Sequence, residues 1–418
     1  PVYRLFSGAG WSAAANLLAS VLPSSWVVVR NCPVVDATAC VLQNTATGQV
    51  QLTTFNGSTW SAAEQVVAVA GNQGTGCRGF DAVYDNSGLL MIAHYKASSG
   101  ELCYRRHNGM LASESVIGST PLVNGFPVKV NWVTLVNRPC ENRVLLMALD
   151  ADSRLYAALW SGTSWGPLRL ITSSAAGAST ECYAAAFESL TGTPMIVYGN
   201  ASSPLLGFRR LVSGSWSDEQ GVDAAYTDQA RWVVASANPI SDGVAIAAQS
   251  SANRVRASIW DGAAWASTTL VTGACQQASR RSTGLSYLAD GSKALVLYST
   301  SGSGTISTKS YNGTSWSGAS TGGSVTSTQS FGALFPGPTA TTTFSMVLNT
   351  SNANSIRVNT WSGSTSVSGP TALQGTLMGF QGSQSFFIST PRSAVAPACQ
   401  AATKLKVKSW NELDPSAP

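Results

Sequence analysis

The chain has 418 residues, with 25 Lys and Arg against 20 Asp and Glu, a net charge of +5. Only 11% of its residues are charged, against roughly a quarter in ordinary soluble proteins, which excludes a helical bundle dressed in Glu and Lys. Basic residues stand singly or in small groups such as Arg105-Arg106, Arg209-Arg210, Arg280-Arg281 and Lys404 to Lys408. These read as guards on solvated strand edges, and no stripe of the kind a nucleic-acid binder needs is present.

The first element in chain order is an alternating strand over Val2 to Phe6, which runs into Phe6-Ser7-Gly8 with Trp11 close behind. The same phrase returns as Phe55-Asn56-Gly57 with Trp60, His107-Asn108-Gly109, Trp160-Ser161-Gly162 with Trp165, and Val212-Ser213-Gly214 with Trp216. It continues as Trp260-Asp261-Gly262 with Trp265, Tyr311-Asn312-Gly313 with Trp316, Trp361-Ser362-Gly363 and finally Trp410-Asn411-Glu412. Successive copies are 48 to 53 residues apart. Between copies lie further short apolar runs, for example Phe80 to Tyr84, Leu89 to Tyr95 and Glu101 to His107, with Ser113 to Gly118 after the phrase. Each unit therefore holds four strands, and the first strands fall near residues 26, 80, 132, 184, 232, 285, 333 and 380. No apolar run approaches the roughly 20 residues of a membrane span.

The phrase is a β-hairpin, because Asn-Gly, Asp-Gly and Ser-Gly supply the positive φ angles that a tight antiparallel turn requires. The structural set is Gly8, Trp11, Gly57, Trp60, Gly162, Trp165, Gly262, Trp265, Gly313 and Trp316, with aromatic partners facing across each turn. The other tryptophans, Trp26, Trp132 and Trp232, start apolar runs. Four-stranded units that cannot bury both faces alone stack radially, so the expectation is an all-β, single-domain β-propeller over residues 1–418. Eight blades fit the count, with seven as the alternative, and the strand after Trp11 is expected to close the ring in the sheet of Leu405 to Trp410.

At this hairpin the chain resembles the Asp-box repeats of sialidases and related propellers, the nearest match being Ser258-Ile-Trp-Asp261-Gly262-Ala-Ala-Trp265. It is also similar in layout to propeller lectins with one Trp-rich hairpin per blade. The first resemblance implies architecture rather than activity; the second implies sugar binding between blades, without assigning residues. A sialidase-like centre would need an arginine cluster, a Tyr with a Glu partner and a further acid at one mouth of the ring.

No motif assembles such a centre. Glu181, Glu188 and Glu219 are among acids that read as solvated loop or outer-strand positions. His94 ends a second strand and His107 fills the aromatic slot of a hairpin; with no Cys-x-x-Cys pair, a zinc site is not expected. Asp150-Ala-Asp152 lacks the later ligands of a calcium loop, and no cofactor fingerprint is present. The eight cysteines suggest disulfides, and Cys32 and Cys40, with Pro33 and Asp36 turning the chain between them, are expected to bond across a hairpin. The turns after second strands, including Gln43-Asn44, His94-Tyr95, Asp150 to Asp152 and Gln249 to Ser251, are expected to form one polar face. The sequence thus points to a non-enzymatic, exported or cell-surface protein that binds a glycan or a surface protein, its leader or anchor removed or outside this sequence. A self-assembling subunit of a surface filament or coat is the runner-up.

Overall fold

A computed structural model describes residues 2–3, 12–13, 15–17, 24–44, 47–68, 77–123, 126–139, 141–275, 281–301, 305–324, 329–336, 342–349, 355–363, 365–366 and 371–374. Every regular element among them is a β-strand. Seven antiparallel sheets of four main strands follow one another, each with its strands in sequence order. Their first strands are Ser24–Asn31, Phe80–Tyr84, Val130–Asn137, Tyr183–Phe187, Ala230–Ala237, Gly284–Tyr287 and Gln329–Pro336. They match the first seven expected; the eighth, near residue 380, lies outside the described residues, as do Leu405 to Trp410, Gly8 and Trp11. Each first strand packs against the first strand of the next sheet. Backbone bonds from Val133 N–H to Arg78 O, Val233 N–H to Glu181 O and Gly332 N–H to Arg281 O join them at 2.9, 3.2 and 2.9 Å. Four-stranded sheets laid side by side on their inner strands are the blades of a β-propeller; we number them 1 to 7.

The hairpin phrase folds as its chemistry dictates. Gly57, Gly162, Gly262 and Gly313 have φ of +92°, +103°, +109° and +96°. The Oδ1 of Asn56, Asp261 and Asn312 accepts two backbone N–H groups in each turn, a local bond that favours the turn over continued strand. Phe55 faces Trp60, Trp160 faces Trp165, Trp260 faces Trp265 and Tyr311 faces Trp316, with ring centroids 5.2 to 5.6 Å apart.

A longer period lies over the 50-residue one. First strands alternate in length, 8, 5, 8, 5, 8, 4 and 8 residues. The long ones share a register shift before Trp26, Trp132, Trp232 and Phe331. Blades 1, 3 and 5 are not consecutive, yet the indole of Trp132 contacts both Trp26 at 5.5 Å and Trp232 at 6.0 Å, edge to face. All three side chains are buried in one core cluster, so alternate blades meet through their tryptophans.

Two expectations need correction. The Cys32–Cys40 bond is not formed: both are free thiols. The hairpin closes at the pair Asn31 and Thr38, and Cys40 lies opposite Val29, so Cys32 sits in the loop and its thiol turns towards Gly88 O of blade 2 at 4.0 Å. Nor do the turns after second strands make a wholly solvated polar face, since Gln43, Asn44, His94, Asp150, Asn200 and Gln249 are buried. Gln249 Oε1, for example, accepts the N–H of Ser282 in the connection to blade 6 at 2.9 Å.

Candidate functional site

The third strands of blades 2 and 4, Glu101–His107 and Leu206–Val212, present successive side chains to opposite faces. Arg105 points back to blade 1, donating to Gln65 O and Val66 O at 3.1 Å. Arg106 points forward, its guanidinium carbon 5.9 Å from the Trp160 ring of blade 3. In blade 4 Arg210 takes the same place, 4.8 Å over Trp260 of blade 5. Arg105 and Arg210 are therefore inter-blade contacts, whereas Arg106 is exposed beside Trp160 and Arg209 donates within blade 4 to the Tyr198 hydroxyl and Ser217 O. Beside them Tyr104 packs 5.7 and 6.0 Å from Trp160 and Trp165, and Phe208 packs 5.7 and 5.4 Å from Trp260 and Trp265. Each of these two blade junctions, called clefts below, thus packs three aromatic rings and a guanidinium together, with Trp160, Trp260 and Phe208 buried and Tyr104, Trp165 and Trp265 half-buried. Ahead of blade 1, Tyr3 meets Trp60 at 5.6 Å in the same manner. Ahead of blade 7 the positions are Leu288 and Ser310, and Leu288 packs in an apolar cluster with Trp361.

The acid at the foot of each cleft differs. Glu188 is completely buried and accepts from Arg210 Nη2 at 2.6 and 2.9 Å, Trp260 Nε1 at 2.9 Å and Thr191 Oγ1 at 2.7 Å. Asp85, its counterpart in blade 2, spends Oδ1 on its own turn, accepting from Ser87 N–H, Ser87 Oγ and Leu89 N–H at 2.9, 2.6 and 3.0 Å. Aromatic faces suit the C–H faces of sugars, and a rigid fork of donors suits their oxygens.

A second cluster lies among the inner strands. Arg78 stands 3.0 Å from Asp81 and 2.9 Å from Glu181; Arg30 reaches Asp81 at 3.0 Å and Arg281 reaches Glu181 at 3.5 Å. Thr134 Oγ1 donates to Glu181 at 2.9 Å and lies 3.1 Å from the Tyr183 hydroxyl. Burial opposes the charge of Arg78, but Asp81 and Glu181 outweigh it and raise its pKa; burial wins for Arg30 and Arg281, whose values fall. Tyr183 is 1% exposed, and burial, reinforced by Glu181, raises its pKa well above 10. Three arginines, a Glu and a Tyr therefore converge here, where sequence reading saw only dispersed acids. The signal that could have found them is their spacing: Arg78, Glu181 and Arg281 are equivalent positions in blades 2, 4 and 6, each bonded through its carbonyl to the following blade.

His107 Nε2 lies 3.2 Å from Glu64 of blade 1, and His94 Nε2 lies 3.3 Å from Glu114. Among the described residues no group of three His, Cys, Asp or Glu side chains is placed to hold a metal ion, and Asp150 caps its own turn by accepting from Asp152 and Arg154 N–H.

No protein-family model matches the chain, and no curated protein does. Among solved structures the BP39L lectin from Burkholderia pseudomallei matches with a TM-score of 0.58 at 12% identity, covering 84% of this chain and 99% of the lectin. The fold is shared with a lectin. An Aleuria aurantia lectin in complex with α-methyl-L-fucoside matches with a TM-score of 0.42 at 12% identity, over 71% of this chain and 94% of that one. The leech intramolecular trans-sialidase matches with a TM-score of 0.42 at 10% identity, over 80% and 67%.

Proposed function

We propose that this chain is an exported, non-enzymatic, eight-bladed propeller that binds carbohydrate in the clefts ahead of blades 3 and 5. The observation that carries this is the recurrence, two blades apart, of three aromatic rings around one arginine; a fold shared with a lectin agrees with it. Eight blades are supported by the alternation of long and short inner strands, which an even-numbered ring continues without a break, and by Tyr3, which meets Trp60 as the third strand of a preceding blade would. Export rests on the hydroxyl-rich, charge-poor composition, and recovery of native protein from the medium or cell surface rather than the cytosol tests it. For binding, the full chain is applied to a glycan array beside Trp165→Ala and Trp265→Ala. Loss of signal in the variants supports the proposal; a folded wild type that binds no glycan, or variants that bind as well as it does, overturns it.

A second reading, a sialidase-like hydrolase, is favoured by the convergence of Arg30, Arg78 and Arg281 with Glu181 and Tyr183. Against it, Asp81 and Glu181 already occupy the guanidinium groups that a substrate carboxylate would need, and Tyr183 is enclosed. Release of fluorophore from an umbelliferyl sialoside, abolished in Tyr183→Phe, would establish hydrolysis and displace the non-enzymatic proposal.

A further inference from the structure

The two arginine clefts differ in charge. Ahead of blade 5, Glu188 neutralises Arg210 within the cleft. Ahead of blade 3, Asp85 is one methylene shorter and its Oδ1 is held by the Ser87 and Leu89 turn. Among the described residues no carboxylate lies within ion-pair distance of Arg106, which is exposed while its guanidinium flanks Trp160. An arginine packed on an indole keeps its planar fork of donors available, and that fork matches a carboxylate in two parallel hydrogen bonds.

We propose that the cleft ahead of blade 3 selects sugars that carry a carboxylate, such as hexuronates, with Arg106 as the specificity-determining residue, whereas the cleft ahead of blade 5 takes neutral sugars. This rests on the carbohydrate-binding proposal and deepens it. The two carboxylates decide the difference: where the acid reaches the arginine the cleft is closed to anions, and where it does not the cleft retains one positive charge against an aromatic wall.

The test is an array of matched hexose and hexuronate glycosides, probed with the full chain at low and moderate salt. Wild type is expected to favour at least one hexuronate over its neutral partner by about ten-fold, the difference between a charged and a neutral hydrogen-bond pair. The preference should shrink with added salt. Arg106→Gln is expected to abolish it, the neutral sugars that remain bound being those taken by the separate site at Arg210 and Trp260, and Asp85→Glu, which copies blade 4, to weaken it. Equal unfolding midpoints confirm that the variants are folded. Neutral sugars bound with no acidic preference, or a preference that survives Arg106→Gln, overturns this inference alone; no sugar bound at all overturns the carbohydrate proposal beneath it.

Discussion

Replacing Glu188 by Leu probes how the cleft between blades 4 and 5 is held. The carboxylate is completely buried and takes hydrogen bonds from Arg210, Trp260 and Thr191, so its removal strands a cation and an indole N–H. Truncating one partner of a buried ion pair costs about 3–5 kcal/mol. The Arg210 side chain is 24% exposed, and water reaching it places Glu188→Leu near the lower figure, about 3 kcal/mol. Blade 6 supplies the control, because it carries Leu288 and Ser310 at the equivalent positions and packs Leu288 with Trp361 in an apolar cluster. The double variant Glu188→Leu with Arg210→Ser copies that arrangement and leaves the buried Trp260 N–H unmatched, the exposed Thr191 hydroxyl turning to water, at a cost of about 1–2 kcal/mol. It should therefore be more stable than Glu188→Leu alone, a negative interaction term in the mutant cycle. Urea unfolding followed by tryptophan fluorescence measures this, provided the slope against denaturant is unchanged. Additive single-variant costs, or a Glu188→Leu cost below about 1 kcal/mol, would refute the reasoning.

Two further perturbations test the packing of the ring. His94 is completely buried, and burial, opposed by Glu114, lowers its pKa to about 4. As pH falls below about 6.5 the unfolded chain takes up a proton that the folded chain refuses, so up to about 3 kcal/mol of stability present above that pH is lost by about pH 4. Urea midpoints in His94→Gln should lack this dependence; an unchanged pH slope in the variant would contradict the assignment. At Gly199 an added Cβ would lie 2.1 Å from Ala230 O, the backbone of the next blade, so Gly199→Ala should cost about 3 kcal/mol. Gly313 has φ +96° but open space around it, and Gly313→Ala should cost about 1 kcal/mol from the backbone alone; the reverse order in thermal unfolding would show that blade spacing is not the constraint.

The local features of the fold were legible because they are local. Gly57, Gly162, Gly262 and Gly313 declare their turns through the residues beside them, and the apolar run at each first strand declares an inner position. What sequence could not show depends on ring geometry. Arg78, Glu181 and Arg281 meet across about 100 residues each because blades 2, 4 and 6 project the same position to a common centre. Glu188 resembles a loop acid until Trp260 and Arg210 close over it. The expected Cys32–Cys40 bond failed on register: the pair Asn31 and Thr38 closes the hairpin and leaves Cys32 in the loop. The two-blade period was hidden because the hairpin phrase, the loudest signal, recurs in every blade while the inner strands alternate.

The most direct test of the central claim is a crystal structure of the full chain soaked with a sugar that it binds. Density for the sugar against Tyr104, Trp160 and Trp165, or against Phe208, Trp260 and Trp265, is the result expected of a propeller that binds carbohydrate between its blades. Density instead on the axis, at Arg30, Arg78 and Arg281 with both inter-blade clefts empty, would contradict that account and favour the hydrolytic one.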